Sequence, residues 1–169
     1  NGSWSTLSPT GTAPSARRQA AYAIDTGENV MLISHGATGV NSFAGDTFKL
    51  TLKLGSAAWA SVTGTGAPSA RRGMTAIYRS TDDAFYFYGG YNGTNHFDNL
   101  FKLTFGATPA WSEVSDTSPP APRRSHSGTF STVGGKMLIY GGRDDAEASF
   151  NGLGSATWEY DIGANSLSK

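Results

Sequence analysis

Arginine recurs in pairs along this chain, at Arg17-Arg18, Arg71-Arg72 and Arg123-Arg124, spaced 54 and then 52 residues apart. A guanidinium is a planar fork of donors that can grip a carboxylate with two hydrogen bonds or hold backbone carbonyls. The pairs therefore carry two readings: contact with a partner, or one Arg of each pair pinning a neighbouring loop. Presence in every copy suits a scaffold, whereas residues that differ between copies suit recognition. The differing residues fall in two polar stretches, Tyr91-Asn92-Gly93-Thr94-Asn95-His96 and Arg143-Asp144-Asp145-Ala146-Glu147. The first offers amides and an aromatic face, the second carboxylates, and either suits a peptide or a sugar. Asn92-Gly93-Thr94 and Asn1-Gly2-Ser3 are also N-glycosylation sequons, so Asn92 and Asn1 are candidate acceptors.

Other chemistries find no support. With no cysteine there is no disulfide, thiolate nucleophile or thiolate metal site. His35, His96 and His126 fall one per repeat at non-equivalent positions. No HExxH, EF-hand, P-loop or G-x-S-x-G pattern occurs, and Asp144-Asp145 alone is no metal site. The residues thus name no catalytic centre, metal or cofactor, and a non-enzymatic chain is expected. Lys+Arg and Asp+Glu both number 13, and no basic run exceeds two residues, which speaks against a nucleic-acid partner. No apolar run is long enough to span a bilayer, and no basic and then apolar leader opens the chain. The sequons and the abundance of Ser, Thr and Gly lean toward a secreted chain.

The elements that must position these residues follow from aligning the three Arg pairs. Seven positions after Arg17, Arg71 and Arg123, first strands end at Ile24, Tyr78 and Phe130: A-A-Y-A-I (20–24), M-T-A-I-Y (74–78) and H-S-G-T-F (126–130). Turn residues follow each: Thr26-Gly27-Glu28-Asn29, Thr81-Asp82-Asp83 and Gly134-Gly135. Second strands come next, V-M-L-I-S (30–34), A-F-Y-F-Y (84–88) and K-M-L-I-Y (136–140), whose near-continuous apolar runs predict burial on both faces. They run into Gly89-Gly90, Gly141-Gly142 and, in the first copy, His35-Gly36. Third strands are expected at 47–52, 100–105 and 157–162, each with an early aromatic, and fourth strands opened by Trp at 59–63 and 111–115. No helical periodicity is sustained, so the chain reads as all-β.

Four strands per period of about 50 residues is the blade of a β-propeller. Phe48, Phe101, Trp158 and the tryptophans are expected to fill the spaces between blades. The Arg, the Gly-Gly doublet, the third-strand aromatic and the spaced Trp together resemble a kelch repeat, over essentially the whole chain. His35, in place of the first glycine of a doublet, is the departure, and is expected to relax that turn. The expectation is one propeller segment, 1–169, of three four-stranded antiparallel blades, with repeats at about 4–58, 59–110 and 111–169.

The resemblance implies that the Arg-pair loops and the post-doublet loops build one binding face for a protein or peptide. Its candidate residues are Arg71, Arg72, Tyr91, Asn95, His96, Arg123, Arg124, Asp144 and Asp145. A glycan-binding surface propeller is the alternative, and part of a larger propeller enzyme a third reading. Relatives with a copper centre use a cysteine cross-linked to tyrosine, and iron-dependent specifier proteins use Glu-x3-Asp-x3-His; neither pattern is present. At the ends, W-S-T-L-S (4–8) is expected to be the last strand of a blade, and the third blade to stop after three strands, with its tryptophan due near 170. Three open blades are expected to expose apolar faces at both ends. Either the chain is part of a six- or seven-bladed protein, which the cut so near a missing tryptophan favours, or two copies form a homodimer that closes a six-bladed ring.

Overall fold

A computed structural model of the chain describes residues 2–106, 108–115, 118–143, 156–163 and 166–168. It is all-β, built as three antiparallel meanders. Blade 1 comprises β2 (Ala21–Asp25), β3 (Val30–Ala37), β4 (Phe43–Lys53) and β5 (Ser56–Ser61), with a short β1 (Thr10–Gly11) on its outer edge. Blade 2 comprises β6 (Thr75–Arg79), β7 (Ala84–Tyr88), β8 (Leu100–Thr104) and β9 (Ala110–Val114). Blade 3 comprises β10 (Ser127–Ser131), β11 (Lys136–Tyr140), β12 (Thr157–Asp161) and β13 (Ser166–Ser168). The first hairpin of each blade closes through left-handed residues, Asn29 (φ 55°), Asp83 (φ 45°) and Gly134-Gly135, which is the backbone that short hairpins demand.

Side chains alternate across each strand, so each blade has two unlike faces. Register gives equivalent rows: Ile33 opposite Phe48, Phe87 opposite Phe101, Ile139 opposite Trp158. In blades 2 and 3 the face carrying these large residues is packed against the preceding blade. Phe85, Phe87, Phe101, Leu103 and Trp111 of blade 2 meet Ala21, Ala23 and Leu32 of blade 1. Met137, Ile139 and Tyr160 of blade 3 meet Ile77, Tyr86, Tyr88 and Leu100 of blade 2. The fit is close at the inner strands, where a Cβ on Gly128 would lie 2.3 Å from Thr75 Oγ1.

Burial on both faces holds for β7 alone among the second strands. All five of its residues are buried, whereas β11 alternates throughout and β3 alternates over 30–34 before its buried end. The reason is position, since only the middle blade has a blade on each side. The outer faces also differ from one another. Blade 1 turns Tyr22 (67 % exposed), Ile24 (50 %), Met31 and Ile33 outward. Blade 3 turns out Ser127, Thr129, Ser131, Thr157 and Asp161 around Leu138 and Tyr140 (54 % exposed), with Lys136 and Glu159 ion-paired. Apolar side chains are thus open on the described outer faces of both end blades, with more of them on blade 1.

The outer strands also depart from expectation. Residues 4–8 form no strand, and Trp4 is fully exposed. Instead Thr10 and Gly11 pair in parallel with Ala58 and Trp59 of β5, and Thr65 pairs likewise with Ala110 of β9. The segments leading into the first two Arg pairs therefore cover the outer edge of the blade they are about to enter, as edge protection requires. Blade 3 has a fourth strand after all. Leu167 stands opposite Tyr160, at the register position that Trp59 and Trp111 hold opposite Leu50 and Leu103.

The inner-strand fit makes a prediction. Gly128→Ala drives a methyl into Thr75 and is expected to cost about 1–3 kcal/mol of stability. In a Thr75→Gly background the same change should cost much less, a coupling that urea unfolding of the four proteins measures.

Candidate functional site

The site begins with the bend that ends each second strand. Gly89 and Gly90 have φ 75° and 105°, and Gly141 and Gly142 have φ 72° and 98°. In blade 1, His35 takes the same left-handed conformation (φ 59°), followed by Gly36 at 110°. The turn is thus kept rather than relaxed, and the imidazole holds it. His35 is fully buried, its Nε2–H donates to Pro68 O (3.2 Å), and Nδ1 accepts from the Ser34 hydroxyl (2.7 Å). Its ring lies edge-on to Trp111, with centroids 6.1 Å apart.

Each bend brings the residue after the doublet beside the second Arg of the pair. Arg18 and Ala37, Arg72 and Tyr91, and Arg124 and Arg143 exchange both backbone hydrogen bonds, all at 2.8–2.9 Å. The Arg-pair loop and the post-doublet loop are thereby joined at their bases on one side of all three blades. At the inner end the blades are tied in series. Gly73 N–H donates to Gln19 O (2.9 Å), Ser125 N–H to Gly73 O (2.8 Å), and Gln19 Nε2 to Ser125 Oγ (2.8 Å). Below this tie the inner strands line a groove of about 680 Å³.

Adjacent residues on an extended segment point opposite ways, and the Arg pairs divide accordingly. The first Arg turns inward. Arg17 Nε donates to Ser15 O and Nη1 to His35 O. Arg71 does the same to Ser69 O (3.0 Å) and Gly89 O (3.4 Å), and Arg123 to Ala121 O (2.9 Å) and Gly141 O (2.7 Å). Arg71 and Arg123 are only 3 % and 8 % exposed. The Arg71 guanidinium lies 3.6 Å from the Phe97 ring centroid, and burial lowers its pKa to about 10, so it stays charged at neutral pH. These two candidates lie beneath the face and position it.

The second Arg turns outward into a ladder of rings. Arg124 lies 4.2 Å and Arg72 5.6 Å from the centroid of the Tyr91 ring. Arg72 also lies 5.4 Å from Phe43, whose ring meets Tyr91 edge-on at 6.5 Å. His96 stacks on Tyr91 with centroids 4.5 Å apart at 29°. Two blades and the loops between blades contribute to this one cluster: Phe43 from blade 1, Tyr91 and His96 from blade 2, Arg72 from the loop before blade 2 and Arg124 from the loop before blade 3. Asn95 is exposed at the tip of the loop. Asn92 shapes that loop, its Oδ1 accepting from Thr94 N–H (3.0 Å) and Asn95 N–H (2.8 Å), while the Tyr91 hydroxyl donates to Gly93 O (2.6 Å). Asp144, Asp145 and Asn1 lie outside the described residues.

Sequence reasoning missed Phe43 and Arg18. Phe43 was hidden because β4 begins four residues before its expected start, and Arg18 because its copy lacks a full doublet. Among the described residues no group of three His, Asp or Glu side chains could hold a metal. The assembly is cationic and aromatic.

A family model described as the KLHDC2/KLHL20/DRC7 Kelch-repeats domain matches residues 1–169. Adagio protein 3 of Arabidopsis thaliana is 32 % identical over 117 residues, which is 68 % of this chain and 19 % of that protein. The chain thus spans about a fifth of the length of this relative.

Two predictions follow from the buried groups. Arg71→Ala strands the carbonyls of Ser69 and Gly89 and should cost about 2–4 kcal/mol in urea unfolding, whereas Arg72→Ala should stay within about 1 kcal/mol of wild type. Burial lowers the pKa of both His35 and His126 from 6.5 to about 4. The unfolded chain therefore takes up protons near pH 6.5 that the folded chain refuses until about 4. Stability is expected to be level above pH 7 and to fall between about 6.5 and 4, by on the order of 3 kcal/mol per histidine. Urea midpoints at pH 7.5, 5.5 and 4.5 measure this, and His35→Gly should flatten the slope.

Proposed function

The chain belongs to the kelch-repeat family, and on that premise we propose that it is a non-catalytic module holding a protein or peptide partner. The contact surface is the face of outward arginines and post-doublet loops, with Arg72, Tyr91, Asn95, His96 and Arg124 at its centre. Arg71 and Arg123 serve from beneath. Asp144 and Asp145 follow the Gly141-Gly142 doublet in sequence and lie outside the described residues. The observation that carries this reading is the Arg72–Tyr91–Arg124 ladder, with Phe43 and His96 at its sides. Tyr and Arg are the residues that dominate binding energy at protein contacts, and here they converge from separate loops already held in place. Two guanidiniums on either side of one ring suit a segment bearing carboxylates, each gripped by a fork while apolar atoms rest on the ring. The apolar outer face of blade 1 suits cover by a further blade, from a second copy or a longer chain.

A second reading rests on the parallel Tyr91–His96 stack beside the exposed amide of Asn95. Ring faces and amides are what a glycan needs, and it would use the same loop without the arginines.

The test is binding of immobilised acidic and charge-neutral peptides, and of a glycan array, to the intact chain. Acidic peptides are expected to bind, more weakly as salt rises, and to lose about tenfold or more in Arg72→Ala/Arg124→Ala, roughly 1.4 kcal/mol. Undiminished binding by the double variant overturns the proposal. Binding to glycans alone, abolished by Tyr91→Ala, selects the second reading.

A further inference from the structure

We propose that Asn92 is a site of spontaneous deamidation, promoted by the fold of its own loop. Among the described residues, Asn92-Gly93 is the single step in which asparagine precedes glycine; those at 1–2 and 151–152 lie outside them. The reaction needs a main-chain nitrogen to attack the side-chain amide carbon of the residue before it. Three features of the loop favour that attack.

The nucleophile is open. Gly93 is exposed, its backbone N–H makes no hydrogen bond among the described residues, and it carries no side chain to shield the nitrogen. The loop also fixes glycine there, since φ is 99° and a Cβ would lie 2.9 Å from Phe43 Cε2. The electrophile is polarised. Asn92 Oδ1 accepts two backbone N–H groups, from Thr94 and Asn95, at 3.0 and 2.8 Å. Paired backbone donors on a carbonyl oxygen are the arrangement that stabilises the oxyanion of a tetrahedral adduct. The leaving group is unheld. Asn92 Nδ2 makes no hydrogen bond among the described residues.

The step balances with water as the only other reactant. The Gly93 nitrogen loses its proton to solvent and bonds to Asn92 Cγ, the carbonyl electron pair moving onto Oδ1. Collapse of this adduct, with solvent returning a proton to Nδ2, breaks the Cγ–Nδ2 bond and releases ammonia, leaving a five-membered succinimide. Water then opens either carbonyl of the ring, giving aspartate or its isomer linked through the side chain. The isomer lengthens the backbone by one carbon inside the turn that holds Tyr91. Both products place a carboxylate beside the Arg72–Tyr91–Arg124 ladder. The same nitrogen would carry a glycan if the sequon were used, so the two modifications exclude one another.

The intact chain is incubated at mildly alkaline pH, natively and in parallel in urea, and mapped by peptide mass spectrometry that separates the two acid products. Conversion at Asn92 is expected to run severalfold faster in the native chain than in urea, with ammonia released in step and Asn95 and Asn99 lagging. Asn92→Gln, whose longer amide disfavours the ring, should abolish it. Thr94→Pro removes one donor to Oδ1 and should slow the native rate toward that in urea. A native rate at or below the urea rate, or equal conversion at Asn95, overturns the proposal. These readouts are masses and so stand whether or not the face binds a peptide.

Discussion

Three buried guanidiniums hold the bends on which the loops above them depend. In each repeat the first Arg bonds the carbonyl two residues behind it and the carbonyl of the first doublet residue, His35, Gly89 or Gly141. The doublet oxygens lie at left-handed bends, and a buried carbonyl without a donor is costly. Charge-assisted donors meet that need, and Arg is suited to it because its charge persists when buried. With the bend secured, the following residue pairs with the second Arg and the aromatic ladder assembles above.

Blade packing adds to this, and the two interfaces are filled differently. Between blades 1 and 2 large side chains lie over small ones, whereas between blades 2 and 3 Met137, Ile139 and Tyr160 meet the equally large Ile77, Tyr86, Tyr88 and Leu100. Phe85, Phe87 and Trp111 lie over Ala21 and Ala23, and Gly128 makes room for Thr75. Close-packed interiors tolerate little change in volume, so register and blade order are specified together.

Much of this was legible in the sequence because the signals are local. The apolar runs at 84–88 and 136–140 coincide with β7 and β11, and the Arg period marks the blades. The outer strands were less legible. The tryptophans do not open their strands, since β5 begins three residues before Trp59 and β9 one before Trp111, and Leu167 takes the same register place without announcing itself. Residues 4–8 carry a Trp yet form no strand, since edge pairing goes to Thr10 and Gly11. Which Arg of a pair turns inward is also silent in sequence, because alternation guarantees only that the two differ. At the candidate site Tyr91, His96, Arg72 and Arg124 were read from their loops, while Phe43 entered only through the tertiary contact with Gly93 and Tyr91.

The backbone bridges from Arg18, Arg72 and Arg124 act as clasps at the roots of three loops. Everything beyond a clasp is a closed excursion whose ends are already fixed, so lengthening it costs little further entropy. Recognition chemistry is thereby uncoupled from folding. Thr38–Ser42 and Asn92–Asn95 already differ in composition over an identical base. Such a scaffold can exchange the content of one loop while its neighbours keep theirs, which makes it receptive to grafting and to evolutionary drift in partner choice.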